Sequence, residues 1–479
     1  MMNRRRTKIV ATLGPATDDP AVLALMISEG LDVARINASH GTQADHARRI
    51  EQLRAAARAA DRSVGVLMDL GGPKIRIEGF RDGPIRLEEG QAFDLDTALG
   101  PKSGTGSEVG VAYQDLPRDV SAGDVLLLAD GQIVLDVTAV EGTRIKTRVR
   151  LGGELSDRKG VNRQGGGISA PALSDKDRDD IRFASAQGID YIAVSFAREA
   201  ADIERARALI REAGGAARVV AKIERHEAIT NLEGIIEAAD AIMVARGDLG
   251  VEMGYAELTG LQKTIIYESR HRNRVVITAT QMMESMIQNP VPTRAEVSDV
   301  ANAVMDGTDA VMLSAETAAG RYPAKAVRAM AEVIEGAEKY ELMHSSTRQR
   351  VERVFSGNEE AIAMAVMYTA NHMKVRAIVA LTETGATPLF MSRIRADIPI
   401  YAFTRHQATR GRVTLYRGVY PVDFDVRIPT KEGLYHAIFA RLLDLRLVER
   451  GDLVILTKGE QSGVEGGTNS LQILKVAVD

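Results

Sequence analysis

Cysteine is absent from all 479 residues. That excludes disulfides and thiol chemistry and fits a reducing compartment. No apolar run approaches the roughly 18 residues that span a bilayer, so no membrane partner is expected. The opening MMNRRRTKIVATLG is basic but lacks an apolar stretch long enough for a secretory signal, and the expected address is the cytoplasm. A net charge of −4 leaves no basic surplus for nucleic acid. Arg4, Arg5 and Arg6 are therefore expected to form a solvated tail. Repeats and low-complexity segments are missing too. What remains is 45% hydrophobic and 26% charged, the balance of a globular protein. The chain is too long for one core, so two or three domains are expected.

Three β-branched, apolar runs open the chain: KIVATLG (8–14), DVARINA (32–38) and VGVLMDL (64–70). Between them lie stretches with apolar residues three and four apart, the helix period. Nearly continuous apolar strands alternating with helices predict a parallel sheet covered on both faces. Residues 71–170 break this rhythm and read as short strands with Gly-rich turns. Asp130-Gly131 marks a hairpin, and Ile145, Thr147 and Val149 share one strand face. Five more apolar runs follow, at 191–196, 218–224, 241–247, 275–282 and 310–317. Three strands before the insertion and five after it predict a closed (β/α)8 TIM barrel. The barrel is expected over 1–70 and 171–345, with a small β insertion over 71–170. A separate C-terminal α/β domain is expected over 346–479, with strands at 377–382, 400–404, 452–457 and 471–478.

Catalytic groups of such a barrel lie at the C-terminal ends of its strands, where residues two apart share a face. The strand ends here carry Arg35, Asn37 and Ser39, then Asp69, Lys222 and Glu224, Arg246 and Asp248, Thr280, and Ser314 with Glu316. One ion pair, such as Lys222 with Glu224, would be an ordinary strand cap. Polar groups at six strand ends, each preceded by apolar residues, point instead to an active site. Glu224 and Asp248 offer the two hard carboxylates that suit Mg²⁺. No His or Cys cluster suits zinc. Lys222, Arg35, Arg76 and Arg246 would add the positive charge that a transferring phosphoryl group or an enolate needs.

The runs TKIVATLGPAT (7–17), RINASHG (35–41), DLGGPKIR (69–76), AKIERHEAI (221–229), VARGDLGVE (244–252), ATQMMESM (279–286) and MLSAET (312–317) together resemble the pyruvate kinase family, in the right order through the whole chain. The resemblance implies Mg²⁺-dependent phosphoryl transfer from phosphoenolpyruvate to ADP, giving pyruvate and ATP, with Mn²⁺ as a substitute metal. By matching position, Glu224 and Asp248 would bind the metal and Lys222 would stabilise the phosphoryl group and the enolate. Gly247, Asp248 and Thr280 would hold the substrate carboxylate, and Arg35 and Arg76 would face phosphate oxygens. Asn37, His40, Arg76 and Lys159 match the nucleotide side, and Thr280, Ser314 and Glu316 the proton path. The insertion would be a small β-barrel lid that carries Lys159. A homotetramer is implied as well.

Two departures stand out. Many members require K⁺ and carry Glu where this chain has Lys74; Leu70 stands where those members often have Thr. An ammonium is a compact charge of about the size of K⁺, so Lys74 is expected to replace that ion beside Asn37, Ser39 and Asp69, and K⁺ is not expected to be required. In TETGAT (382–387), Thr382, Thr384, Gly385 and Thr387 match an effector loop. Glu383 stands there in place of a cation, which favours a sugar-monophosphate or nucleotide effector over fructose 1,6-bisphosphate. Two other readings use the same residues: an Mg²⁺-dependent aldolase or lyase acting on pyruvate enolates, which ADP binding would exclude, and a catalytically dead sugar-phosphate sensor, which a turnover loss in Lys222→Ala would exclude.

Overall fold

The computed structural model describes residues 5–344, 355, 357–394, 396–428, 430–459 and 467–477. Its centre is a closed ring of eight parallel strands: β1 (Lys8–Leu13), β2 (Val33–Asn37), β3 (Gly65–Asp69), β4 (Tyr191–Val194), β5 (Arg218–Ile223), β6 (Ala241–Ala245), β7 (Val275–Ala279) and β8 (Ala310–Leu313). Neighbours in sequence are neighbours in the ring. Closure comes from β1, which pairs with β2 at Val10–Val33 and with β8 at Lys8–Ala310. Alternation sorts the side chains. Ile9, Ala34, Val66, Val219, Val276 and Val311 pack outward against the helices. Val10, Val33, Leu67, Val220, Met243, Ile277 and Met312 fill the axis. Several surrounding helices start where the sequence places caps, as at Thr42, Ser174 and Thr293, each paired with an acid three residues on.

The axial core continues below the strands' N-terminal ends into Ile378, Ala380 and Ile400 of the C-terminal region. Lys8 donates to the Val419 carbonyl (2.7 Å) and the Tyr191 hydroxyl to the Arg412 carbonyl (2.7 Å). The floor of the barrel is thus covered, and the C-terminal strand ends form the opposite, chemically occupied mouth. The covering region is a five-stranded sheet in the order Val419–Asp423, Ile400–Thr404, Ala377–Leu381, Leu453–Gly459 and Thr468–Lys475, with the last strand antiparallel. Val419–Asp423, which contains Pro421, was not among the expected strands. It lies at the sheet edge, where proline is tolerated. The expected junction near 346 lies outside the described residues.

Between β3 and β4, the insertion builds its own core from Ile77, Phe93, Leu95, Leu126, Leu135 and Ile145. Its strands form a six-stranded sheet and a two-stranded ribbon. The hairpin turn falls at Ala129, Asp130 and Gly131, all with left-handed backbone. Ile145, Thr147 and Val149 share one strand face as expected, and that face is buried. One short helix, Leu116–Asp119, interrupts a segment expected to hold none.

Arg5 and Arg6 do not form a solvated tail. Both are buried. Arg5 pairs with Asp32 at 2.7 Å, and Arg6 lies 3.5 Å from Glu338 while donating to the Ala396 carbonyl. These partners lie far away in sequence, so local composition gave no sign of them.

Candidate active site

At the mouth, β5 delivers Lys222 into a ring of acceptors. Its ammonium is 2.9 Å from Glu224, 3.2 Å from Asp69 and 2.7 Å from the Ser195 hydroxyl. Burial works against the charged lysine, but Asp69 and Glu224 more than offset it and hold the ammonium above its ordinary range. Asp69, at the end of β3, also accepts from Arg35 (2.8 Å), whose other arm donates to the Thr12 hydroxyl. Burial of Asp69 is outweighed by Lys222 and Arg35, so its carboxyl stays below the usual range.

Glu224 is 1% exposed. Its second oxygen accepts from the backbone N–H of Phe196 (2.7 Å). Phe196 has φ +56, a left-handed conformation rare for a bulky side chain. Burial raises the Glu224 carboxyl, Lys222 opposes that, and the nearby Asp248 charge adds to it. Asp248 sits in the first turn of the helix Arg246–Met253. Among the described residues no three His, Cys, Asp or Glu side chains gather as a metal cage. Two mutually repelling carboxylates nonetheless fit Mg²⁺, which takes one or two protein carboxylates and fills its remaining positions with water or substrate oxygens.

Thr280 follows β7 with φ +70, and Gln281 continues at +54. The Thr280 hydroxyl accepts from the Gly247 N–H (2.8 Å) and donates to the Ala279 carbonyl (2.6 Å). Arg246 is engaged by Thr280 and Asp299 and not by Glu224 or Asp248, contrary to expectation. It is buried, donates to the Thr280 carbonyl (2.7 Å) and pairs with Asp299 (2.8 Å). It holds the strained loop and adds no charge at the mouth. Glu316 accepts from the N–H groups of Ser314 (2.6 Å) and Met283 (3.2 Å), and burial keeps its carboxyl raised.

Lys74 reaches Asp248 at 3.0 Å and Asp130 of the insertion at 3.6 Å. These contacts include none of Asn37, Ser39, Asp69 and Leu70, the residues beside which Lys74 was expected; there, Ser39 N–H donates to the Asn37 side chain (3.0 Å) and the Ser195 hydroxyl to the Leu70 carbonyl (2.8 Å). Asn37 ends β2, and the exposed His40 lies on the loop after it. Arg76 and the exposed Lys159 lie on the insertion, where Arg76 bridges Gly160 and donates to the Arg158 carbonyl (2.8 Å). A ligand touching all four would span barrel and insertion.

In the C-terminal region, Thr382 accepts from the Gly385 N–H (2.9 Å), and Thr387 bonds Thr468 (2.8 Å). Thr384 presents its carbonyl to Arg412 (2.8 Å). Glu383 pairs with His406 and lies 3.6 Å from Arg405.

Sequence reasoning missed Thr12, Ser195 and the Phe196 N–H. Thr12 and Ser195 obey the same two-residue inward rule from Val10 and Ala193, so that rule applied to β1 and β4 would have found them. Nothing in the sequence marks a backbone donor.

A closed parallel barrel with a charged lysine between carboxylates at its mouth, roofed by a β insertion, defines an enzyme for small anionic substrates. The pyruvate kinase barrel-domain model matches residues 4–327, and the pyruvate kinase alpha/beta-domain model matches 360–474. Pyruvate kinase II of Salmonella typhimurium is 51% identical over 98% of this chain and 99% of its own length. The pyruvate kinase of Haemophilus influenzae is 51% identical over 96% and 97% of the two chains, and that of Geobacillus stearothermophilus 42% over 98% and 80%. The chain belongs to the pyruvate kinase family and is a phosphotransferase of that type. No helix among its described residues is long and apolar enough to cross a membrane.

Proposed function

We propose that this chain transfers the phosphoryl group of phosphoenolpyruvate to ADP in the cytoplasm, giving pyruvate and ATP as the last step of glycolysis. The observation that carries this reading is Lys222, charged and oriented by Asp69, Ser195 and Glu224 at the barrel mouth. Mg²⁺, or Mn²⁺ in its place, would be held by Glu224 and Asp248 and would neutralise phosphoryl charge.

The N–H groups of Gly247 and Asp248 and the Thr280 hydroxyl orient the substrate carboxylate. Arg35 and Arg76 face phosphate oxygens. Asn37 and His40 on the barrel and Arg76 and Lys159 on the insertion hold the nucleotide. A terminal oxygen of ADP forms the new P–O bond as the bond from phosphorus to the enol oxygen breaks, and that oxygen keeps the electron pair. The Lys222 ammonium stabilises the enolate. Its terminal carbon then takes a proton along Thr280, Ser314 and Glu316, whose raised carboxyl suits a proton holder. Closure of the insertion, as a lid, excludes water that would otherwise accept the phosphoryl group.

Three finer points belong to the same reading. Lys74 supplies, from beside Asp248 and Asp130, the positive charge that K⁺ would bring, so that ion is not required. The loop with Thr382, Thr384, Gly385 and Thr387 takes a sugar monophosphate or nucleotide; Glu383, already paired with His406, disfavours fructose 1,6-bisphosphate. The working form is a homotetramer. The test is pyruvate formation from phosphoenolpyruvate and ADP with Mg²⁺ and each candidate effector. Turnover supports the reading, and its absence under all these conditions rejects it.

A further inference from the structure

The chain leaves the insertion through Val161–Arg163 and three consecutive glycines, Gly165, Gly166 and Gly167, with φ of +80, +77 and +93. A Cβ on Gly166 would lie 2.8 Å from a Glu227 oxygen, and one on Gly167 would lie 2.0 Å from the Arg163 guanidinium. Only glycine fits this bend. It is clasped by the turn that follows β5. Glu227 accepts from the Gly167 N–H (2.5 Å), and Arg225 donates to the Ile168 carbonyl (3.1 Å).

One side chain joins this hinge to both metal-bearing elements. Glu252 lies on the helix that carries Asp248 and is 6% exposed. One oxygen accepts from the Asn162 side chain at the end of the insertion (3.5 Å). The other accepts from the backbone N–H of His226 (3.0 Å), two residues after Glu224. We propose that Glu252 is a positioning residue that fastens the return hinge of the lid to the elements carrying Glu224 and Asp248. The catalytic consequence rests on the phosphotransfer reading above; the mechanical one does not.

Burial pushes the Glu252 carboxyl up to about 7. The charged groups that face it are Arg225, which opposes the rise, and Glu227, which adds to it. Charged Glu252 makes the stronger, charge-assisted bonds to Asn162 and His226. The clasp therefore tightens as pH rises through 7 and loosens below it.

The experiment is hydrogen exchange of the substrate-free, full-length protein at pH 6 and pH 8, corrected for the intrinsic rate. In the wild type, amides of 161–168 should be protected about fivefold more at pH 8. Glu252→Gln, fixed neutral, should erase that pH dependence. Asn162→Ala should lower hinge protection at both pH values while β5 amides keep theirs, which separates a loosened hinge from global unfolding. The double variant Glu252→Gln with Asn162→Asp reverses donor and acceptor and should restore protection. In turnover, Glu252→Gln should lower kcat more than it raises KM. Hinge protection that ignores pH and survives both single variants would overturn the proposal. Absent pyruvate formation would reject the phosphotransfer reading and leave the exchange result standing.

Discussion

The Lys222 ammonium lies 2.9 Å from Glu224, and Glu224 and Asp69 are both about 1% exposed. In the proposed reaction, chemistry and folding therefore depend on the same lysine. Lys222→Met should lower kcat by about a thousandfold, the scale of removing a charge-stabilising donor, while substrate binding persists. The same change leaves two buried carboxylates without their shared cation and should cost about 3–5 kcal/mol of stability. Steady-state kinetics with substrate titration, alongside urea denaturation, checks both halves. Near-normal kcat would remove Lys222 from the reaction.

Thr280 keeps a left-handed backbone that threonine disfavours. Both Thr280→Ala and Thr280→Gly remove the hydroxyl that meets Gly247, so both should lose activity. They should differ in stability, because alanine keeps the strain and glycine relieves it. Thr280→Gly should be the more stable by about 1 kcal/mol. Equal melting temperatures would mean that the loop relaxes and stores no strain.

The eight barrel strands and most of the mouth were legible because both follow from short-range pattern. β-branched runs alternate with helical periods, and polar residues break the apolar runs at the strand ends. What stayed hidden depends on long-range partners or on backbone. Arg5 and Arg6 looked like a tail because Asp32 and Glu338 are not local. The left-handed Phe196 that aims an N–H at Glu224 leaves no compositional trace. Arg246 stands among mouth residues in sequence, yet Asp299 and the Thr280 carbonyl draw it away.

Arg393 of the C-terminal region pairs with Asp309, just before β8, and both side chains are 2% exposed. Asp309 also accepts from the Val276 N–H (2.9 Å). Arg393→Leu should therefore strand a buried carboxylate at the barrel floor and cost about 3–5 kcal/mol. The double change Arg393→Leu with Asp309→Leu should recover part of that loss. Denaturant unfolding of the single and double variants reads the coupling. A cost below about 1 kcal/mol for the single variant, the value of a surface pair, would show that water reaches this pair.

Asp190 precedes β4 against Gly411 and accepts from the Val66 N–H (2.8 Å). Burial, only partly opposed by that bond and by Arg54 and Arg412, pushes its carboxyl up to about 6. The folded protein thus keeps this proton where the unfolded chain, near 3.8, has released it. Stability from this group is greatest below about pH 3.8 and falls as pH rises towards 6. Asp190→Asn cannot lose a proton and should stabilise the protein at pH 7 by on the order of 1 kcal/mol, with little effect at pH 4. Thermal melts at the two pH values check this. A gain at pH 4 equal to that at pH 7 would exclude titration as the cause.

Lys74 carries the sharpest expectation about ions. Its ammonium bridges Asp248 and Asp130, so a fixed positive charge already lies beside the carboxylate proposed to hold the metal and against the insertion. A monovalent cation would add little to that field. In a buffer of bulky organic cations, with saturating Mg²⁺, turnover should change less than about twofold on adding K⁺. Lys74→Glu removes the built-in charge and adds an acid near Asp248. It should lower turnover in potassium-free buffer at least about tenfold and regain part of that rate when K⁺ is supplied. Lys74→Met separates the two effects, because it deletes the cation without adding repulsion. A wild type that needs K⁺ for most of its rate would assign Lys74 to fastening the insertion, through Asp130 and Asp248, and not to replacing the ion.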